Sequence, residues 1–147
     1  MTKKIGMLIL LWAALIPSVL AKEWLANLDV AKSEAVATKQ NILLVFSGSD
    51  WCIPCMKLEK FIWSSDEFKT FSEDHFVLLR ADFLKQKKNR LSNEQQAYNE
   101  QLAEKYNPNG FFPLVLVLDH QGEVLGQTGY KNVSPSEYIK HLVELEK

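Results

Sequence analysis

Apolar positions in this chain follow two periods. From Lys22 to Lys39, Trp24, Leu25, Leu28, Ala31, Ala35 and Val36 form one stripe at spacings of three and four, which predicts a helix. Asn41 then opens Ile42-Leu43-Leu44-Val45-Phe46, a run without polar alternation that suits a strand covered on both faces. Ser47 to Asp50 reads as a turn. Met56, Leu58, Phe61 and Ile62 restore helical spacing, and Ser65 is placed to cap a short helix carrying Phe68 and Phe71. Phe76 to Ala81 is a second strand, and Asp82 to Asn93 a long polar connection. Ser92 or Asn93 caps a helix to Tyr106 with Ala97, Leu102 and Ala103 turned inward. Asn107-Pro108-Asn109-Gly110 ends it with turn residues. Leu114 to Leu118 is a third strand, Asp119 to Gly122 a hairpin turn and Glu123 to Gln127 the returning strand. Ser134, Pro135 and Glu137 make a capping box with an early proline for a last helix.

The predicted order is α-β-α-α-β-α-β-β-α. Helices between strands imply right-handed crossovers and parallel pairing, and the final hairpin adds antiparallel strands. The expected architecture is α/β: a mixed central sheet of about four strands with helices on both faces.

Residues 1–21 stand apart. Lys3 and Lys4 precede an apolar run from Ile5 to Ile16, Pro17 breaks it, and Val19 and Ala21 occupy the −3 and −1 positions of a signal-peptidase site. The run is short for a bilayer span. We expect a signal peptide over 1–21, a single domain over 22–147, and a periplasmic or secreted location. An uncleaved segment would leave an anchor, the chain's one expected membrane contact. With no Cys near Ala21, a bacterial lipoprotein anchor is excluded.

Composition adds bounds. The 147 residues are 47% hydrophobic and 24% charged, enough for one packed core. The formal net charge is −1 and no basic run tracks a phosphate backbone, which argues against nucleic acid as a partner. The densest basic stretch, Lys85 to Arg90, reads as a solvated loop.

The candidate chemistry lies in Cys52 and Cys55, the chain's two cysteines. They follow a buried strand and open a helix, where free N–H groups and a partial positive charge stabilise a thiolate, the reactive species. Cys52, nearest the helix end, should be the more acidic and exposed. It would attack an external disulfide, and Cys55 would resolve the mixed disulfide. Pro54 costs little in the first turn. Three other readings compete. A structural bridge across so small a loop would contribute only about 2 kcal/mol on chain entropy. Two sulfurs are half a zinc site, and His75, His120 and His141 lack ligand spacing, so no metal or cofactor is expected. The third is an inert thiol pair in a binding or chaperone-like module that uses Trp51, Phe112 and Pro113.

Together these segments resemble the thioredoxin family, in particular its secreted bacterial thioredoxin-like subgroup. The matching residues are Leu43 to Phe46, Trp51-Cys52-Ile53-Pro54-Cys55, Lys57-Leu58-Glu59, Phe112-Pro113 before an apolar strand, the Asp119 to Val124 hairpin, and Gly129-Tyr130. The resemblance implies thiol–disulfide exchange with protein substrates, with Cys52 as nucleophile and Cys55 as resolving thiol. It also implies a cis Pro113 beside the disulfide and substrate contacts from Trp51, Ile53, Pro54, Phe112 and Pro113. An oxidising compartment implies an external electron source, a membrane-borne thiol donor.

Three departures from the family stand out. Phe46 occupies the place of a buried Asp that helps deprotonate the resolving thiol, leaving Glu59 or Asp50 as substitutes. Lys60 replaces a kinking proline, so a straighter helix is expected. The Asp82–Asn93 connection is longer than the family minimum, either for partner contact or merely tolerated. With no His between the cysteines and Pro before the second, a reducing or isomerising direction is expected over strong oxidation.

Overall fold

Asn27, not Lys22, begins the first helix. Its side chain accepts the Val30 N–H at 3.0 Å and starts α1, Leu28–Thr38. The computed structural model describes residues 22–147, so the predicted leader over 1–21 lies outside the described residues. Residues 22–26 contain no helix. Leu25 is bridged to Leu79: its N–H donates to Leu78 O at 2.8 Å, and Arg80 N–H donates to Leu25 O at 2.9 Å. Backbone groups offered by a sheet edge outcompete the helical spacing of Trp24 and Leu25. Val36, expected in the buried stripe, is 60% exposed.

The remaining elements are β1 (Asn41–Ser47), α2 (Ile53–Leu58), a π-helical turn (Glu59–Trp63), α3 (Asp66–His75), β2 (Phe76–Asp82), a 3-10 turn (Lys87–Asn89), α4 (Asn93–Tyr106), β3 (Leu114–Leu118), β4 (Val124–Thr128) and α5 (Pro135–Glu144). Ser65, Ser92 and Ser134 cap α3, α4 and α5 as their positions predict, and the Ser134–Glu137 capping box is formed in both directions. In α4 the inward place goes to Asn99, whose amide donates to Asp82 O at 3.1 Å, while Ala97 is exposed.

The four strands lie in the order β2-β1-β3-β4. β1 and β2 are parallel, but β3 runs antiparallel to β1, contrary to the parallel pairing expected of helix-linked strands. The Phe112–Pro113 loop brings the chain into the sheet at the end where β1 finishes, with Leu114 opposite Phe46.

β1 is the central rib, buried on both faces. Ile42, Leu44 and Phe46 pack with Leu28, Ala31 and Ala35 of α1 and Leu102 of α4. Leu43 and Val45 face Leu58, Ile62, Trp63, Phe68, Tyr138 and Leu142 on the opposite side. This is the expected mixed sheet with helices on both faces.

The segment after α2 is not the straighter helix expected from Lys60. Ser64 N–H donates to Glu59 O at 3.0 Å, a π-type bond, and the chain widens over Glu59–Trp63. The widened turn brings adjacent Ile62 and Trp63 into the core, while Met56 and Phe61 face outward.

Candidate active site

Three segments meet at the C-terminal end of β1. Ser47 leads into the loop to Cys52. In register, Asp82 ends β2 beside Ser47, and Leu114 begins β3 opposite Phe46. Strand ends in mixed α/β sheets are where loops gather into sites.

The loop into Cys52 is tightly built. Gly48 O accepts the N–H groups of Trp51 at 3.2 Å and Cys52 at 2.8 Å. The Trp51 indole lies where any β-carbon on Gly48 would sit, so only glycine fits. Cys52 is the N-cap of α2, in extended conformation, and its sulfur accepts the Cys55 N–H at 3.3 Å. Pro54 sits in the first turn, where a missing N–H goes unnoticed.

Cys52 and Cys55 are joined in a disulfide, with Cα atoms 5.2 Å apart. The expectation of an exposed Cys52 is corrected here: it is 5% exposed, close to the 3% of Cys55. Ile53 and Pro54 instead form the outward face of the motif, with Ile53 65% exposed.

The Phe112–Pro113 peptide bond is cis, and Pro113 is buried. A groove of about 440 Å³ runs beside it, bounded by Pro54, Phe111, Phe112, Pro113, Thr128 and Tyr130. Phe112 turns its edge to Trp51, ring centres 5.4 Å apart, and to Phe83 at 5.3 Å. The predicted residues from Trp51 to Pro54 and from Phe112 to Pro113 thus converge on one surface around the disulfide.

Neither carboxylate considered as a proton acceptor for Cys55 is free. Glu59 pairs with Arg80 at 2.6 Å. Asp50 accepts N–H bonds from Lys85 at 3.0 Å, Gln86 at 2.8 Å and the Asn89 amide at 3.2 Å. Those bonds, the Lys85 backbone first, hold the Asp50 carboxyl below its ordinary value. Phe46, in the place of the family's acid, is fully buried and packs on Phe83. Among the described residues no group of three or more His, Cys, Asp or Glu is arranged to hold a metal ion.

The Asp82–Asn93 connection, which the sequence left between partner contact and mere tolerance, forms a wall of the site that no local pattern specified. It folds back over Trp51: the indole N–H donates to Phe83 O, Lys85 Nζ lies 3.9 Å from the ring centre, and Asp82 accepts both N–H and O–H from Ser49. Its partners lie more than thirty residues away in sequence, beyond the reach of any local pattern.

Comparison with known proteins agrees with this geometry. A disulfide bond reductase, DsbH of Chlamydia pneumoniae, is 35% identical over 98 residues, 67% of this chain and 57% of that protein. The thioredoxin-related protein DsbJ of the same organism is 29% identical over 125 residues, 82% of this chain and 35% of its own length. The chain therefore spans less than two thirds of the length of either curated relative. A solved structure described as DsbH oxidoreductase superposes with a TM-score of 0.78 at 25% identity, covering 99% of this chain and 94% of that one. A thioredoxin-like family profile matches residues 23–120, and with the fold and the cysteine pair in place, this chain belongs to the thioredoxin-like family.

Proposed function

We propose that this protein is a thiol–disulfide oxidoreductase that reduces disulfides of protein clients outside the cytoplasm. The observation that carries this reading is the Cys52–Cys55 disulfide at the start of α2, beside the cis Phe112–Pro113 bond. Similarity to a disulfide bond reductase supports the reducing direction.

In the reduced protein, the Cys52 thiolate attacks one sulfur of a client disulfide. The client S–S bond breaks, and its second sulfur leaves as a thiolate that takes up a proton. Cys55, deprotonated, then attacks Cys52 Sγ. The mixed disulfide breaks, the second client thiol is released, and Cys52–Cys55 forms. Two electrons pass from the protein dithiol to the client, and the described oxidised state is the product. A thiol donor, by the exported location expected of the leader a membrane-borne one, restores the dithiol. The α2 N-terminus favours Cys52 as the thiolate in the first step. The groove along Pro113 and Tyr130 receives an extended client segment, and the exposed Pro54 forms its near wall, with Ile53 exposed next to it in the motif.

The test uses single cysteine variants in insulin reduction. Cys52→Ser should lose all turnover. Cys55→Ser should lose turnover and accumulate a mixed disulfide with its client. Full activity in Cys52→Ser would overturn the mechanism.

A further inference from the structure

A second cavity adjoins the redox site on the side away from the cis-proline groove. It measures about 550 Å³ and lies beneath the Asp82–Asn93 connection. Trp51, Phe83, Leu91 and Phe112 form apolar walls. Trp51 and Phe112 also belong to the redox surface, so a chain bound at Pro113 reaches both sides of the Phe112 ridge.

The charges around this cavity are uneven. Lys85 and Arg90 line it, and among the described residues neither forms an ion pair. Lys87 and Lys88 stand on the same connection, exposed. Asp82, which accepts two bonds from Ser49 and keeps its charge, and Glu100 balance Lys85 and Arg90 within the lining, so the positive excess comes from Lys87 and Lys88 on the connection. The connection is fastened by Asp50, Ser49 and Trp51, so its cations are held at the rim without an induced rearrangement.

We propose that this cavity is a second substrate subsite, one that seats an acidic side chain of the client beside the disulfide under attack. The apolar walls take the methylene stem, and Lys85 and Arg90 meet the carboxylate. Lys85 and Arg90 are solvent-exposed, so the pairing acts on encounter and selectivity and is screened by salt. The proposal rests on the oxidoreductase reading. The whole chain carries a net charge of −1, so its overall field does not itself favour acidic clients.

Three synthetic disulfide peptides test it, identical except for Glu, Gln or Lys two residues from the cysteine. The pre-reduced protein is mixed with each at low and high salt, and second-order rate constants are compared. At low salt the Glu peptide should react about fivefold faster than the Lys peptide, the scale of one or two partly exposed charge pairs, and salt should shrink this ratio. In Lys85→Glu/Arg90→Glu the ratio should fall to one or invert. A control with the same change in net charge, Lys140→Glu/Lys147→Glu, should keep the parent ratio. Equal rates on all three peptides, or a ratio unmoved by the double reversal, would overturn the subsite and leave the oxidoreductase reading intact. Failure to reduce any peptide would overturn both.

Discussion

At the residue scale, Asp50 shows how one side chain can serve structure while standing beside chemistry. It directly precedes the Trp51–Cys55 motif, which made it a candidate base for Cys55. Its carboxylate instead collects three N–H donors from the connection and fixes the wall over Trp51. Asp50→Ala should free that segment, with the Lys85 and Gln86 amides exchanging at least about tenfold faster by hydrogen-exchange mass spectrometry. Unchanged protection there would mean that the Trp51–Phe83 and Ser49–Asp82 bonds suffice. Tyr138 is a second such residue. Burial pushes its phenol well above the ordinary value, and its O–H donates to Gly129 O at 2.8 Å, beside the groove along Pro113.

At the element scale, the π turn at Glu59–Trp63 is the clearest case of tertiary packing overriding a local pattern. The π turn narrows the angle between adjacent side chains, and Ile62 and Trp63 both face inward while Phe61 is exposed. Trp63 meets Trp24, Phe68 and Tyr138 at ring-centre distances of 5.7, 4.7 and 5.5 Å. Trp63→Ala should therefore cost about 3–5 kcal/mol in urea unfolding, as for large aromatic deletions in cores. The exposed Phe61→Ala should stay within about 0.5 kcal/mol of the parent. Comparable losses in both would contradict the assignment of faces. Sequence reading placed Phe61 in this stripe and passed over Trp63, because it assumed one period throughout. By contrast, the caps at Ser65, Ser92 and Ser134 were legible. A cap depends on a side chain and the N–H three residues on, which is local information.

At the scale of the whole molecule, two stability measurements follow. Backbone N–H groups hold three carboxyls below their ordinary values: Lys85 N–H at Asp50, Glu123 N–H at Asp119 and Ser134 N–H at Glu137. Each charged form is favoured by folding. That contribution is complete above the ordinary carboxylate value and is lost as pH falls through the depressed folded value. The urea midpoint should hold near neutrality and decline below the ordinary carboxylate range. Asp119→Asn with Glu137→Gln should flatten that decline; an unchanged slope would remove these groups as its cause. The second measurement compares redox states. The bridge shortens the unfolded chain's freedom, so the oxidised form should exceed the reduced form by about 2 kcal/mol. By linkage, a dithiol whose oxidation stabilises the fold is a better reductant. A reduced form more stable than the oxidised one would argue for an oxidant instead.

The sequence by itself determined the strands, the helix caps, the cysteine pair at a helix start and the proline ahead of β3. These depend on neighbours within a few residues, where side-chain period and capping chemistry act directly. Tertiary structure decided the rest. It made Leu25 an edge-pairing residue, set β3 antiparallel to β1, widened the helix at Trp63, and folded the Asp82–Asn93 connection over Trp51. Each of these follows from backbone or side-chain groups satisfied by partners distant in sequence. The motif therefore announces the chemistry, while the walls around it exist only once β1, β2 and β3 end side by side.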